Sequence, residues 1–495
     1  MKTESLAPVL LQSIFDGVET DEDKILWRHY VNHLSNVMTI EGDSRNAFKD
    51  ILLHLANQHQ GVMHSILSFS GAHLDLESPY GQELLHDQAW LSADILDDRA
   101  EYHRSEALKF LCEDINSTVD KDSQDHETIV SARYAQMLCF LLQTLVDGKT
   151  QGEHRLHLQG YKSLMAASPP EDPTFGAFIT EVFQYYICAD DLLWHPLCQQ
   201  RRVASDDWDN STPIVAPRLF GIADGLFAQL SRISTVRNAI RANIEAGVEP
   251  PTDHTVLSRA AEIDAVINSW QPQTSYEDSR GRIGMLYKQC LWLYLYRTVY
   301  PPPSSHVRRS TLGSLSMAGT STMIAPTTQR RSSIATSIVS SPAPVAYCNG
   351  SHSTSRNPSR SSSMHETDGM VMSDMMSASR SSSPALATSA RSNQKISFSV
   401  NQSLDVLESF SPNDPAQTLL LIPCLLVGTS CFEAAQRERI RIALRHVREY
   451  TGVRSCDRVA QLLEEVWSRM DHGDLMAVWD WQGTAAQMEL DFLCK

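Results

Sequence analysis

From Pro301 to Val400 the chain consists largely of Ser, Thr, Ala, Pro and Met, and this stretch divides a 495-residue sequence that is otherwise patterned for helices. So few large apolar side chains cannot offset the chain entropy lost on ordering, so the segment is expected to be disordered. What lies on either side must then find its core without it. The block after Val400 holds two clear amphipathic helices, too little for a core of its own, so it is expected to complete the body begun before Tyr300. A long excursion between them is tolerable, because loop-closure entropy rises only logarithmically with length. The expected organisation is therefore an N-terminal extension over 1–20, one body built from 21–300 plus 401–495, and an insertion over 301–400.

The body reads as all-α. Met63, Ile66, Leu67 and Leu74 keep to one face of a segment that also carries Ser65, Ser68 and His73, and Ile129 to Val146 is apolar nearly all round, as a central bundle helix would be. Further helices are predicted at Asp21–Met38, Gln82–Leu96, Tyr102–Cys112, His154–Ala167, Phe175–Trp194, Pro217–Ile240 and Val256–Trp270, with Pro and Gly in the gaps. Cys290–Tyr296 has strand composition, but the apolar run extends from Met285 to Val299 and that length favours a helix. After the insertion, Ile440, Ala443, Leu444 and Val447 form one stripe, and Val459, Leu462, Leu463, Val466 and Met470 form another. The fold class is a large multi-helix bundle or array, interrupted by the Ser-rich insertion.

Charge narrows the function. The whole chain carries −17, while the insertion has nine Lys/Arg against three Asp/Glu, so the remainder carries −23. An acidic body repels nucleic acid, whose binding rests on Lys and Arg displacing condensed counterions. The ten cysteines contain no C-x-x-C pair and mostly sit in apolar runs, as buried free thiols do in a reducing compartment. No signal peptide is expected, and Leu419–Val427 is too short to span a bilayer, so no membrane partner is expected.

The motifs suggestive of chemistry are weak. Gly148-Lys149-Thr150 lacks the glycine five positions before Gly148 that a phosphate loop needs, and reads as a helix C-terminal turn. Ser68-Phe69-Ser70-Gly71 lacks the flanks of a nucleophile elbow; its small residues more simply let helices approach. His54, His59 and His64, and the pair His154 and His157, complete no ligand pattern and read as ordinary hydrogen-bonding histidines. Asp190-Asp191, Asp206-Asp207 and Glu464-Glu465 read as caps and solvated faces. No constellation joins nucleophile, base and anion site, so the chain is expected to be non-catalytic. Arg437, Arg441, Arg445 and Arg448 flank the apolar stripe of the Glu433–Tyr450 helix. They offer either a DNA-backbone or acidic-partner contact or a face offset by nearby acids, such as Glu433. In the insertion, Ser310, Ser332, Ser333 and Ser382 follow or lie within Arg-Arg and Arg-Ser clusters suited to basophilic kinases. The terminal VWDWQ and MELDFL segments mix acids with bulky apolar residues, as activation segments do, but are expected to form a packed final helix.

Three phrases then coincide in order. The first is Tyr30, His33, Leu34 and Ser35, then Asn46-Ala47-Phe48, Leu52 and Leu55-Ala56, ending in MHSILSFSGAHL (Met63–Leu74). The second is Ala135–Val146 with Gly152 and HRLHLQGYKSLM (His154–Met165). The third is Tyr287–Tyr300, then LLLIPCLLVGTSC (Leu419–Cys431), Arg437 and LLEEVWSRMD (Leu462–Asp471). No single phrase is specific, but their order and spacing resemble the fungal-specific transcription factor domain found C-terminal to zinc binuclear clusters. His154 stands where that family commonly has Trp, and Tyr161 where it has a small residue. The resemblance implies a nuclear regulator of RNA polymerase II genes, controlled by a small apolar metabolite or by other transcription regulators and coregulators, with a homodimer allowed. A non-DNA-binding interaction scaffold derived from the same family is the alternative.

The zinc cluster needs six thiolates opening with a C-x-x-C pair, and this chain has no cysteine before Cys112. The expectation is therefore no cofactor in this chain, zinc only in a cluster encoded upstream, and DNA contact only indirectly or through that missing module.

Overall fold

A computed structural model of the protein describes residues 17–40, 46–87, 91–116, 125–204, 226–272, 274–302 and 385–495. Among them every regular element is a helix, and a lone bridge between Gln151 and Asp491 is the only β-type pairing. The helices before the insertion are α1 (Asp21–His29), α2 (Ser35–Val37), α3 (Ala47–Asp50), α4 (Leu52–Ala56), α5 (Gln60–His73), α6 (Pro79–Asp87), α7 (Ala93–Asn116), α8 (His126–Asp147), α9 (His154–Ala167), α10 (Pro173–Asp190), α11 (Leu226–Glu245), α12 (His254–Ser269) and α13 (Ser279–Val299). Those after it are α14 (Ala385–Glu408), α15 (Leu421–Gly428), α16 (Ala434–Thr451), α17 (Ser455–Asp471), α18 (Leu475–Trp479) and α19 (Trp481–Gln487). A π-helical turn, Tyr30–Leu34, joins α1 to α2.

The centre is built where apolar periodicity is strongest. α5 packs against α7, α8 and α1, so almost its whole circumference is buried and its serines must find partners inside. Ser65 Oγ donates to Gly61 O at 2.8 Å and Ser70 Oγ to Leu26 O at 2.6 Å. Gly71 permits the close approach of α5 to α7: a Cβ there would lie 2.4 Å from Ala100 Cβ, backed by that residue's Cα. Gly71→Ala is therefore expected to cost about 1–3 kcal/mol through overpacking, read as a lowered urea midpoint with an unchanged slope. α8 is long and apolar enough to cross a bilayer, but 83% of its most apolar window is buried by the rest of the chain. It closes at Gly148, whose φ of +61° is the left-handed conformation of a C-terminal cap.

The two flanks of the insertion share this core. Tyr287 Oη on α13 donates to Leu419 O at 2.8 Å, Thr418 Oγ1 to Val37 O at 2.9 Å, and Ser455 Oγ on α17 to Leu145 O at 3.0 Å. Within the C-terminal block, the Trp467 indole donates to Gly428 O at 2.8 Å, and Leu463 sits over Gly428, where a Cβ would meet it at 2.6 Å.

Several boundaries differ from those read in sequence. The helix expected over Gln82–Leu96 is two: α6 stops at Asp87 and a new helix starts at Ala93. That helix runs on through the predicted Tyr102–Cys112 segment to Asn116. α14 crosses the boundary set at Val400, because Ile396, Val400, Leu404 and Leu407 recur at helical spacing within Ser-rich sequence and pack on the core. Cys290–Tyr296 is helical. The single terminal helix is instead α18 and α19, divided at Asp480, followed by a buried tail in which Phe492 and Leu493 join the core. The start of the helix predicted over Pro217–Ile240 lies outside the described residues, as do 303–384 and the expectation of disorder there.

Candidate functional site

Each of the four arginines predicted on the C-terminal helix meets an acid. Arg437 on α16 is largely buried, its two Nη atoms 2.7 Å from the Asp471 oxygens and its Nε donating to Cys431 O at 3.2 Å. Arg441 pairs with Glu464 at 2.6 Å and Glu438 at 3.2 Å, and Arg448 with Asp457 at 3.3 Å and Asp75 at 3.4 Å. Arg445 is the most exposed, its side chain 65% accessible, with a 3.7 Å approach to Glu438. Glu433 takes part in capping α16, not in pairing with Arg437. Glu465 pairs with Arg469 at 2.8 Å. Ser310, Ser332, Ser333, Ser382 and the Asp206-Asp207 pair lie outside the described residues.

Asp190 and Asp191 are not solvated caps; both are fully buried. Arg155 Nε approaches Asp190 Oδ1 to 2.8 Å, and His154 Nε2 donates to the same oxygen at 2.8 Å. Arg155 Nη1 reaches Asp491 Oδ2 at 2.6 Å, tying α9 and α10 to the C-terminal tail. Burial raises the Asp190 carboxyl pKa, yet the Arg155 charge and the His154 hydrogen bond outweigh it and the carboxyl is held below its ordinary value. Arg202 holds both Asp191 oxygens, its Nε donating to Oδ1 and its Nη2 to Oδ2, each at 2.7 Å.

A second buried cluster, absent from the sequence reading, sits where α11 and α13 meet α18 and α19. Arg237 is 1% exposed, and its guanidinium carbon lies 4.9 Å from the Trp479 ring and 5.6 Å from those of Tyr294 and Trp481. Its Nη1 donates to Thr298 Oγ1 at 3.3 Å, and its Nε has no hydrogen-bond partner. Arg297 donates from Nη1 to Thr429 O at 3.2 Å and lies 5.5 Å from the Phe432 ring. Arg241 takes the one carboxylate of the cluster, Asp480, at 2.5 Å, together with Gln482 Oε1 at 3.0 Å. His195 Nε2 stands 3.4 Å from the other Asp480 oxygen. Burial, with the like charge of Arg237, pulls the Arg297 pKa down to about 10, and burial lowers that of Arg237 too. The signal in sequence was faint: two arginines four apart inside an apolar helix, with Trp479, Asp480 and Trp481 over two hundred residues away.

The histidines pair with one another. The Thr451 carbonyl can only accept, so His73 Nε2 donates to it at 2.8 Å and His73 Nδ1 accepts from His29 Nε2 at 3.0 Å. His64 Nδ1 meets His103 Nδ1 at 2.8 Å, and His103 Nε2 donates to Asp23 Oδ1 at 2.8 Å. Of the others, His54 contacts Gln58, His59 lies 3.3 Å from Asp114, and His157 stacks on Phe140. Among the described residues no group of three or more His, Cys, Asp and Glu is placed to hold a metal ion. Ser68 Oγ accepts from Gln143 Nε2 at 3.0 Å, with no imidazole paired to it.

The described residues thus form an all-helical body assembled from both sides of an interruption, with charge buried between its helices. The description of the fungal specific transcription factor domain matches residues 24–335 and 379–494, and the chain belongs to that family. Neither the curated proteins nor the solved structures yield a match to the chain.

Proposed function

We propose that this chain is the effector-sensing body of a nuclear regulator of RNA polymerase II genes. The family match, which spans both helical blocks, carries the reading. In it the body is non-catalytic, receives a small-molecule signal and passes it to other transcription regulators or coregulators. The acidic charge of the body favours DNA contact through another module or partner, with zinc required only there. Ser310, Ser332, Ser333 and Ser382 are the proposed phosphorylation sites, where added phosphate would reverse the local positive charge. Arg445, the most accessible of Arg437, Arg441, Arg445 and Arg448, is the one best placed to meet an acidic partner.

Fusing the full chain to a heterologous DNA-binding module and measuring a reporter in a fungal host tests the regulatory role. A change in reporter output, up or down, is expected. Output equal to that of the DNA-binding module alone, with the fusion present in the nucleus, would favour the interaction scaffold instead.

A further inference from the structure

We infer that His29 and His73 form an acid-sensitive latch, which holds the C-terminal end of α16 to α1 and α5 near neutral pH and releases it on mild acidification while the rest of the body stays folded. The latch stands on hydrogen-bond geometry; only the consequence of release draws on the regulatory reading above.

The protons in this contact are fixed one after another. Thr451 is the last residue of α16 and its carbonyl can only accept, so His73 carries its proton on Nε2, 2.8 Å away. His73 Nδ1 is then a bare acceptor, and it takes a hydrogen bond from His29 Nε2 at 3.0 Å. That leaves His29 Nδ1 without a proton, buried and with no partner. The two rings are 2% and 4% exposed. A further proton has no good place. On His29 Nδ1 it lies in the interior with no acceptor, and on His73 Nδ1 it sets one N–H against another. Moving the His29 proton to its own Nδ1 relieves that clash but leaves the same buried charge.

The surroundings do not absorb it. His33 of the π-helical turn lies 5.4 Å from His29 and 5.7 Å from His73 between ring centroids, and can only add positive charge. Tyr80 of α6 stacks 5.6 Å from His29 and stays neutral. From α16 comes Arg448, and Asp75, the acid that follows α5, is already shared with it at 3.4 Å. Arg448 also meets Asp457 of α17 at 3.3 Å. Burial is the main reason that both rings sit below their ordinary pKa.

The other contacts of this end confine the opening. α16 packs along its length on α14, α15 and α17. Its end meets the N-terminal block through the His73 bond, the Arg448–Asp75 pair and the close fit of Gly452, where a Cβ would lie 2.7 Å from His73 Nε2. Beyond it, Arg454 N and Ser455 Oγ donate to Val146 O and Leu145 O of α8, so the stretch free to lift is short. Such a stretch opens at less than the cost of global unfolding. Once open, the rings regain water and bind protons near pH 6.5, so falling pH favours the open form. Release would free Arg448 from Asp75 beside the accessible Arg445, offering two guanidinium groups to an acidic partner.

Backbone hydrogen exchange of the full chain at pH 7.5, 6 and 5, corrected for the intrinsic pH dependence of exchange, is the test. Opening over Val447–Val453 should become at least about thirtyfold more frequent at pH 5 than at pH 7.5, the factor for one ring that moves from about 4 to about 6.5 on opening. The apolar core of α8, Met137–Leu142, should remain the better protected at each pH. His73→Gln keeps an amide N–H for the Thr451 carbonyl and removes the titrating site, and should cut the acceleration at least tenfold. His29→Gln, with the same loss expected, is the second variant should His73→Gln not fold. Exchange of Val447–Val453 in step with α8, or an acceleration unchanged in a folded variant, would overturn the latch. The exchange and reporter results are independent, so either reading can fall alone.

Discussion

Asp190→Ala is expected to destabilise the body by about 3–5 kcal/mol, because it strands the Arg155 guanidinium in the interior with Asp491 as its one remaining acid. Removing one partner of a buried pair exposes the full desolvation cost of the other, and His154 loses its acceptor at the same time. The three elements this network joins, α9, α10 and the C-terminal tail, should loosen together. Equilibrium urea unfolding checks this, with Glu464→Ala as the control: its ion pair to Arg441 is exposed, and its loss should cost less than about 1 kcal/mol. The double change Asp190→Ala with Arg155→Ala should cost less than the sum of the single ones, because neither leaves the other's charge behind. Equal effects for Asp190→Ala and Glu464→Ala would show that Asp190 behaves as the solvated cap its sequence suggests.

Acidification from pH 7.5 to 5 is expected to weaken the fold by a few kcal/mol, before the carboxylates that are held below their ordinary values titrate. Burial and the neighbouring His103 hold His64 at about 4, and burial, partly countered by the Thr451 carbonyl, holds His73 at about 4. His29 is lowered to about 2 by burial and by His73 and His33. A histidine with a depressed folded pKa is stabilising above its unfolded value near 6.5, and that contribution is lost as pH falls toward the folded pKa, because the unfolded chain binds the proton first. A shift from about 6.5 to about 4 corresponds to about 2 kcal/mol at pH 5 for each buried ring, an order-of-magnitude figure against a typical total of about 5–15 kcal/mol. Asp23, Asp190 and Asp480, all held below their ordinary values, add to acid loss only below about pH 4. Urea midpoints at pH 7.5, 6 and 5 measure the slope, and His73→Asn should flatten it. A midpoint independent of pH over that range would show the rings to be solvated or differently paired.

What sequence revealed follows the range of the interactions involved. α9 and α12 were legible because a local apolar period defines them, α8 because its apolar run is too long for a strand, and Gly148 marked the end of α8 by a property of its own backbone. The start of α7 was hidden by Asp97, Asp98 and Arg99, which look like a solvated break; Arg99 is in fact held by Asp23, 76 residues earlier, at 2.6 Å. Asp190 and Asp191 looked like caps for the same reason, since Arg155 and Arg202 declare themselves as partners only in three dimensions. α14 was obscured by composition: its serines diluted an apolar stripe that still closes on the core. The Arg237 cluster was least legible of all, because its members lie on four helices drawn from both sides of the insertion.

Promoter occupancy by the tagged full chain in its native fungal host, mapped by chromatin immunoprecipitation and paired with transcript profiling after its deletion, tests the central claim most directly. The account predicts nuclear chain crosslinked at a defined set of promoters whose transcripts change when it is removed. A chain that resides in the cytosol, crosslinks to no promoter and leaves the transcripts unchanged would contradict it.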